Sequence, residues 1–342
     1  MDLSEYFYMI PELFELPFIH VTVKSYGLMM VIGFLCAVFV MRKMAVRVGE
    51  NPDNLTNVAL YALITGVLGA RIFYVIHNFD QFRGSLLKVF AVWQGGLVFV
   101  GGVILGIIFV LSYLYFRKLS IRRFFDILAV GLMIGLSFGR IGCFLNGCCY
   151  GKPTEMACGV SFPYGSPSYW SQAFPDTRRG RDKPQIDLPA EYYGNFSSDK
   201  KSWVPAQELS KYYSNLKPRY LLTEEQAHQV GKHGKYHALH VHPTQLYSSA
   251  NAFLLSGVLY LFWRKFGKIK VGCTYGLMLV LYGITRFILE TIRDDNPFEA
   301  AWWIIYRGGT ISQNIGIYMG FIGVIAFLFC WIRPLPTAKK VK

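Results

Sequence analysis

The sequence predicts an all-α polytopic membrane protein: seven transmembrane helices, with an extracytoplasmic cap inserted between the fourth and the fifth. Three observations carry this. Of 342 residues, 53% are hydrophobic and 16% charged, against about 25% charged in soluble domains, and the mean hydropathy is +0.32. The apolar residues gather into seven runs near 26–41, 57–76, 95–116, 124–144, 245–263, 271–290 and 311–332, on the scale of the roughly 20 residues that a helix needs to cross a bilayer. The basic residues fall in alternate connections between those runs. A net charge of +14 fits a nucleic-acid partner by magnitude alone. The cations lie in short runs between apolar segments, however, and no nucleic-acid-binding motif accompanies them, so none is expected.

The elements follow in order. The first twenty residues, MDLSEYFYMIPELFELPFIH, are acidic, broken by Pro11 and Pro17, and lack the basic start of a signal peptide. They read as an amphipathic stretch on a membrane surface or as a loose leader. Residues 1–151 are then expected to hold this segment and helices one to four, 152–241 the extracytoplasmic insertion, and 242–342 helices five to seven with a basic tail. Arg42, Lys43 and Arg47 follow the first run; Arg117, Lys118, Arg122 and Arg123 the third; Arg264, Lys265, Lys268 and Lys270 the fifth; Arg333, Lys339, Lys340 and Lys342 the last. Short basic connections face the cytoplasm, so the N-terminus is expected outside and the C-terminus inside. The long polar insertion then faces outward. Its aromatics, among them Tyr169, Trp170, Tyr192, Tyr193, Trp203, Tyr212 and Tyr213, favour at least partial order.

This topology draws polar residues from distant segments to one side. GRIGCFLNGCCYGKPT (139–154) closes the fourth run, HPTQLYSS (242–249) opens the fifth, RFILETIRDDNP (286–297) closes the sixth, and Tyr26 opens the first. Arg71, Arg140, Arg286 and Glu290 lie in or at the ends of apolar runs. An arginine at membrane depth costs a few kcal/mol or more and usually works inside the protein. The alternatives are snorkelling to the headgroups and a structural Arg286–Glu290 pair at helical i, i+4 spacing. A guanidinium fork matches a phosphate, so two arginines at this level suit a phospholipid headgroup. Gly139, Gly142, Gly147 and Gly151 let the backbone come close and offer N–H donors. In WQGGLVFVGGVILG (93–106), Gly95, Gly96, Gly101 and Gly102 form either a cleft wall for lipid or a close helix contact.

Of seven cysteines, Cys36, Cys273 and Cys330 lie in runs and read as small core residues. Cys143, Cys148, Cys149 and Cys158 cluster. Inert packing, a disulfide from Cys158 to Cys148 or Cys149, a thiol activated beside Arg140, and a metal site of non-standard spacing all remain open.

GRIGCFLNGCCYGKPT resembles the signature of bacterial prolipoprotein diacylglyceryl transferases. SYGLMMVIGF (25–34), GARIFYV (69–75), WQGGLVFVGG (93–102), HPTQLY (242–247), YGITRFILETIR (282–293) and GGTISQNIG (308–316) follow in that family's order. The resemblance covers nearly the whole chain outside 152–241. It implies a multi-pass enzyme of the bacterial inner membrane that moves the diacylglyceryl group of phosphatidylglycerol onto the lipobox cysteine of a prolipoprotein, forming a thioether and releasing glycerol phosphate. The expected partners are phosphatidylglycerol, the lipobox peptide and membrane lipids, with no metal and no cofactor. Carried over, Arg140 and Arg286 bind the phosphate, Glu290 orients Arg286, and Tyr26 and Asn146 hold glycerol or phosphate oxygens. His242, Gln245 and Tyr247 line the approach. Arg71, Gly95, Gly96, Gly101, Gly102, Gly142 and Gly151 complete the expected substrate-binding set.

The departures from the family pattern fall where a base is expected. Many members carry Asn in place of Cys143, Glu in place of Cys148, His or Tyr in place of Val100, and an acid in place of Ser248. Two compensations follow: His242 or a phosphate-bound arginine network assists thiol deprotonation, or Cys148 acts as an internal nucleophile. The rival functions are a related lipid-group transferase with a non-lipoprotein acceptor and a non-catalytic protein that binds anionic lipid.

Overall fold

The computed structural model describes residues 10, 12–16, 21–82, 89–90, 96, 98–177, 181–189, 192, 194–196, 203–205, 224–294, 305–307 and 309–334. The long helices are α1 (Ser25–Arg47), α2 (Pro52–His77), α3 (Phe99–Phe116), α4 (Ile121–Leu145), α7 (Thr244–Phe266), α8 (Cys273–Ile292) and α9 (Ile311–Ile332). Among the described residues, two short helices, α5 (Pro167–Ala173) and α6 (Glu224–Val230), lie between α4 and α7. Among the described residues, six helices are long and apolar enough to cross a membrane, all of the long ones except α3. The expected third run therefore differs. It was drawn from residue 95, but the helix begins at Phe99, because Gly96 takes φ +71°, a left-handed turn that halts a helix start.

The N-terminal segment, expected as an amphipathic surface stretch or a loose leader, is described in part. Its described part is a strand, β1 (Glu12–Leu16), paired antiparallel with β2 (Val21–Lys24). Pro11 and Pro17 bracket β1, and the β-branched Val21, Thr22 and Val23 favour an extended partner. A second ribbon pairs β3 (Gly194–Phe196) with β4 (Trp203–Pro205).

The chain divides into two compact units, neither a continuous stretch: Met1–Gly33, Gly135–Leu254 and Leu281–Phe321 in the first, Phe34–Ile134, Leu255–Val280 and Ile322–Lys342 in the second. In the second unit, α2 and α3 meet backbone to backbone through glycines. A Cβ on Gly69 would stand 2.6 Å from the Gly101 carbonyl oxygen, and one on Gly102 2.7 Å from that of Gly66. Asp126, buried in α4, accepts hydrogen bonds from the backbone N–H groups of Gly272 (2.6 Å) and Tyr275 (2.9 Å), so a carboxylate satisfies donors at the start of α8. Basic connections are held locally. Arg42 pairs with Asp53 at 2.9 Å, Arg123 with Glu50 at 2.7 Å, and Lys270 donates to the Trp331 carbonyl at 2.9 Å.

In the first unit, the segment between α4 and α7 carries its own apolar core: Tyr164, Tyr169, Ala173, Ile186, Leu188, Tyr192, Val230 and Ala238. Ser166 caps α5 by accepting from Tyr169 N–H at 3.1 Å. The Gln172 amide makes two bonds with the Leu239 backbone, at 2.9 and 3.3 Å. Helices α8 and α9 approach through Gly283, where a Cβ would lie 2.5 Å from the Gly316 carbonyl oxygen. The helices α4 and α7 are joined by Ser249, whose hydroxyl donates to the Ser137 carbonyl at 2.9 Å.

Candidate active site

The last turn of α4 and the turn after it set out the first part of the site. Arg140 projects from α4, half-buried, and among the described residues it makes no ion pair and no hydrogen bond. Gly142, one helical step on, lies against the start of α1: a Cβ there would meet the Tyr26 ring at 3.0 Å and its Cα at 3.2 Å. That close approach brings Tyr26, exposed, to the motif. Asn146 closes the helix with its N–H on the Gly142 carbonyl (3.0 Å).

The second part comes from the end of α8. Arg286, Glu290 and Arg293 occupy i, i+4 and i+7, one face of the helix. Arg286 pairs with Glu290 at 3.0 Å and donates to the Ser312 hydroxyl at 2.8 Å; Arg293 lies 3.8 Å from the same carboxylate. The Glu290 side chain is fully enclosed and also accepts from the Thr310 hydroxyl at 3.1 Å. Thr310 opens α9 in a reciprocal cap: Gln313 N–H donates to its hydroxyl at 3.2 Å, and its own N–H donates to the Gln313 side chain at 3.0 Å. The carboxylate is thus fixed to a helix start as well as to the arginines. Arg286 experiences Arg293 and Arg140 as like charges and Glu290 as its counter-ion. Two guanidiniums face one carboxylate and the charge of Arg140 also acts on Arg286, so the excess positive charge is that of an anion site.

The backbone stitches these parts together. Gly151 N–H bonds the His242 carbonyl at 3.0 Å, His242 N–H bonds the Lys152 carbonyl at 3.0 Å, and Lys152 N–H bonds the Ile292 carbonyl at 2.8 Å. A Cβ on Gly151 would strike His242 Cβ at 2.7 Å. The first turn of α7 holds the cysteine turn, with Thr244 Oγ1 donating to the Cys149 carbonyl and Gln245 Nε2 to the Cys148 carbonyl, both at 2.7 Å. Gln245 is fully buried, so its amide supports the turn rather than lining an open approach. His242 Nδ1 lies 3.4 Å from the Tyr247 hydroxyl, which lies 3.2 Å from the Cys158 thiol. All seven cysteines are free, so Cys158 meets Tyr247 and forms no disulfide with Cys148 or Cys149. Hydrogen bonds with Cys143 and then Cys148, helped by the charges of Arg293 and Arg140, hold the Cys149 thiol below its ordinary value against the opposing effect of burial.

The remaining expected residues fall in the second unit. Arg71 is buried and donates to the carbonyls of Val89 (2.8 Å) and Gly96 (3.1 Å), stacked on Tyr74 and Phe82. These are the bonds of a backbone clamp. Gly101 and Gly102 serve the α2–α3 contact, and Gly95 lies outside the described residues. Arg293, Thr310 and Ser312 were not singled out from sequence. The i, i+4, i+7 spacing of Arg286, Glu290 and Arg293 was a legible signal for the first. The T-x-x-Q capping pattern was one for Thr310. Ser312 carried none.

Comparison with known proteins bears on this arrangement. The family model described as prolipoprotein diacylglyceryl transferase matches residues 11–329. The chain belongs to the prolipoprotein diacylglyceryl transferase family. It is similar to the phosphatidylglycerol–prolipoprotein diacylglyceryl transferase of Clostridium tetani, 27% identical over 93% of this chain and 96% of that protein. The transferase of the same name from Prochlorococcus marinus is 31% identical over 92% and 90%, and that from Burkholderia orbicola 26% over 93% of each. With its spanning helices and bacterial relatives, the chain is a membrane protein of a bacterial transferase family.

Proposed function

We propose that this protein transfers the diacylglyceryl group of phosphatidylglycerol to the lipobox cysteine of a prolipoprotein. The observation that carries the reading is the pairing of Arg286 and Arg293 with a single enclosed carboxylate, Glu290, with the charge of Arg140 also acting on Arg286, in a chain that matches the transferase family from 11 to 329. The acceptor sulfur attacks the glycerol carbon, a C–S bond forms, and the C–O bond to phosphate breaks with its electron pair passing to oxygen. Arg140 and Arg286 take up that charge, an electrostatic stabilisation that grows as the bond breaks. Glu290 fixes the Arg286 fork in place. Tyr26 and Asn146 bind glycerol or phosphate oxygens, and Gly142 and Gly151 keep the site walls close.

His242, an imidazole beside the motif, takes the acceptor proton. The alternating basic connections support an external N-terminus and a cytoplasmic C-terminus, with 152–241 facing outward as a folded insertion between 1–151 and 242–342. The test is transfer by purified enzyme in vesicles of phosphatidylglycerol with a lipobox peptide, read by peptide mass. A gain of one diacylglyceryl group is expected. An unmodified peptide with folded, lipid-binding enzyme overturns the reading. His242→Ala should slow transfer; unchanged rates across the neutral range would remove His242 from the mechanism.

A further inference from the structure

The thiols of Cys143, Cys148 and Cys149 lie within 4.8 Å of one another. Adjacent residues ordinarily project apart. Here Gly147 at φ +68° and Cys149 at φ +62° fold the turn back, so that both neighbouring sulfurs converge on Cys143 in the last turn of α4. The turn is braced from outside by Thr244 and Gln245 on its carbonyls. A zinc–sulfur bond of about 2.3 Å places three sulfurs about 3.8–4.0 Å apart around one ion, so small side-chain rotations close the set. All three thiols are half-buried and within reach of solvent. Three thiolates and a divalent ion carry one net negative charge.

We propose that Cys143, Cys148 and Cys149 bind a thiophilic divalent ion of the zinc kind, whose fourth position takes the acceptor cysteine as a thiolate. This rests on the transferase reading above. Three protein ligands leave a coordination position open, and a coordinating thiol is deprotonated outright. Glu290, the carboxylate beside the arginines, is committed to Arg286, Arg293 and Thr310, so coordination supplies the ionisation that it does not. The acceptor S–H bond breaks on coordination, its proton passing to His242 and then to water. The sulfur lone pair forms the C–S bond, the C–O electron pair leaves with glycerol phosphate, and the weakly basic thioether dissociates from the ion. No oxidant or reductant is needed.

The test uses the reduced full-length enzyme in detergent. Titration with Co²⁺ should give sulfur-to-cobalt charge-transfer absorption saturating at one ion per chain, displaced by Zn²⁺ and lost in Cys143→Ser. A lipobox peptide should change the spectrum, and its Cys→Ser analogue should not. In wild-type enzyme, Zn²⁺ should protect Cys143, Cys148 and Cys149 from alkylation while Cys158 still reacts, which serves if the serine variant does not fold. Absence of both the absorption and the protection overturns the site. Absorption that ignores the peptide overturns the acceptor role. Full transfer under a chelator that has removed the ion also overturns that role and leaves the transferase reading standing. No transfer by either the Zn²⁺-loaded or the chelated enzyme overturns the transferase reading, while the cobalt titration still decides the site.

Discussion

Replacing Glu290 by Gln removes one charge and almost no volume, and it tests how the arginines are held. The side chains of Glu290 and Arg286 are 0% and 13% exposed and 3.0 Å apart. This is a buried pair, so the value of about 0–1 kcal/mol for surface pairs does not apply. Removing one partner of a buried pair costs about 3–5 kcal/mol, because the other charge is left uncompensated. Here two guanidiniums lose their counter-ion, with Arg140 adding to the repulsion. At about 2 °C per kcal/mol for a larger chain, the melting temperature should fall by roughly 6–10 °C. Turnover should fall about 100-fold, since a misplaced catalytic group of this kind costs that much. Glycerol phosphate should recover part of the lost thermal stability by supplying the missing anion. The assays are melting of purified enzyme with and without glycerol phosphate, and peptide lipidation in phosphatidylglycerol vesicles. A Glu290→Gln enzyme with wild-type melting and turnover would refute the view that this carboxylate organises the site.

Other substitutions test single contacts. Arg140→Lys keeps the charge but loses the planar fork, so transfer should drop about 100-fold or more with normal melting; a fully active lysine variant removes the bidentate role. Gly142→Val places carbon against the Tyr26 backbone, 3.2 Å from a Cβ, and should cost about 1–3 kcal/mol together with activity, seen by melting and lipidation. Tyr169→Ala, at a fully buried position of the insertion core, should cost that core about 3–5 kcal/mol. Limited proteolysis should then cut within 152–241 while the spanning helices persist.

The legible parts of the molecule were those that depend on local composition. Six of the expected runs are helices of spanning length, and Arg286 and Glu290 pair as their i, i+4 spacing allows. What escaped depends on partners far along the chain. Arg71 in an apolar run reads equally as a ligand-binding group or a clamp, and only its bonds to Val89 and Gly96 decide. Asp126 drew no notice, because the N–H groups it caps lie 146 and 149 residues later. The start of α3 was misplaced because Leu97 and Val98 are apolar, and hydropathy is blind to the φ of Gly96.

The bonds of Gly151 and Lys152 with His242 have an architectural consequence. They close the neck of the insertion, so that the excursion leaves and rejoins the chain at one point. The ends are held by Gly151, His242 and Thr244 whatever lies between them. Lengthening such a loop costs only about 0.6 kcal/mol per doubling. The insertion is therefore tied to the end of α8 at its neck, where Lys152 meets Ile292 and Arg181 meets Asp294 at 3.1 Å, so that changes in length between those ties leave the anchorage beside Arg293 in place.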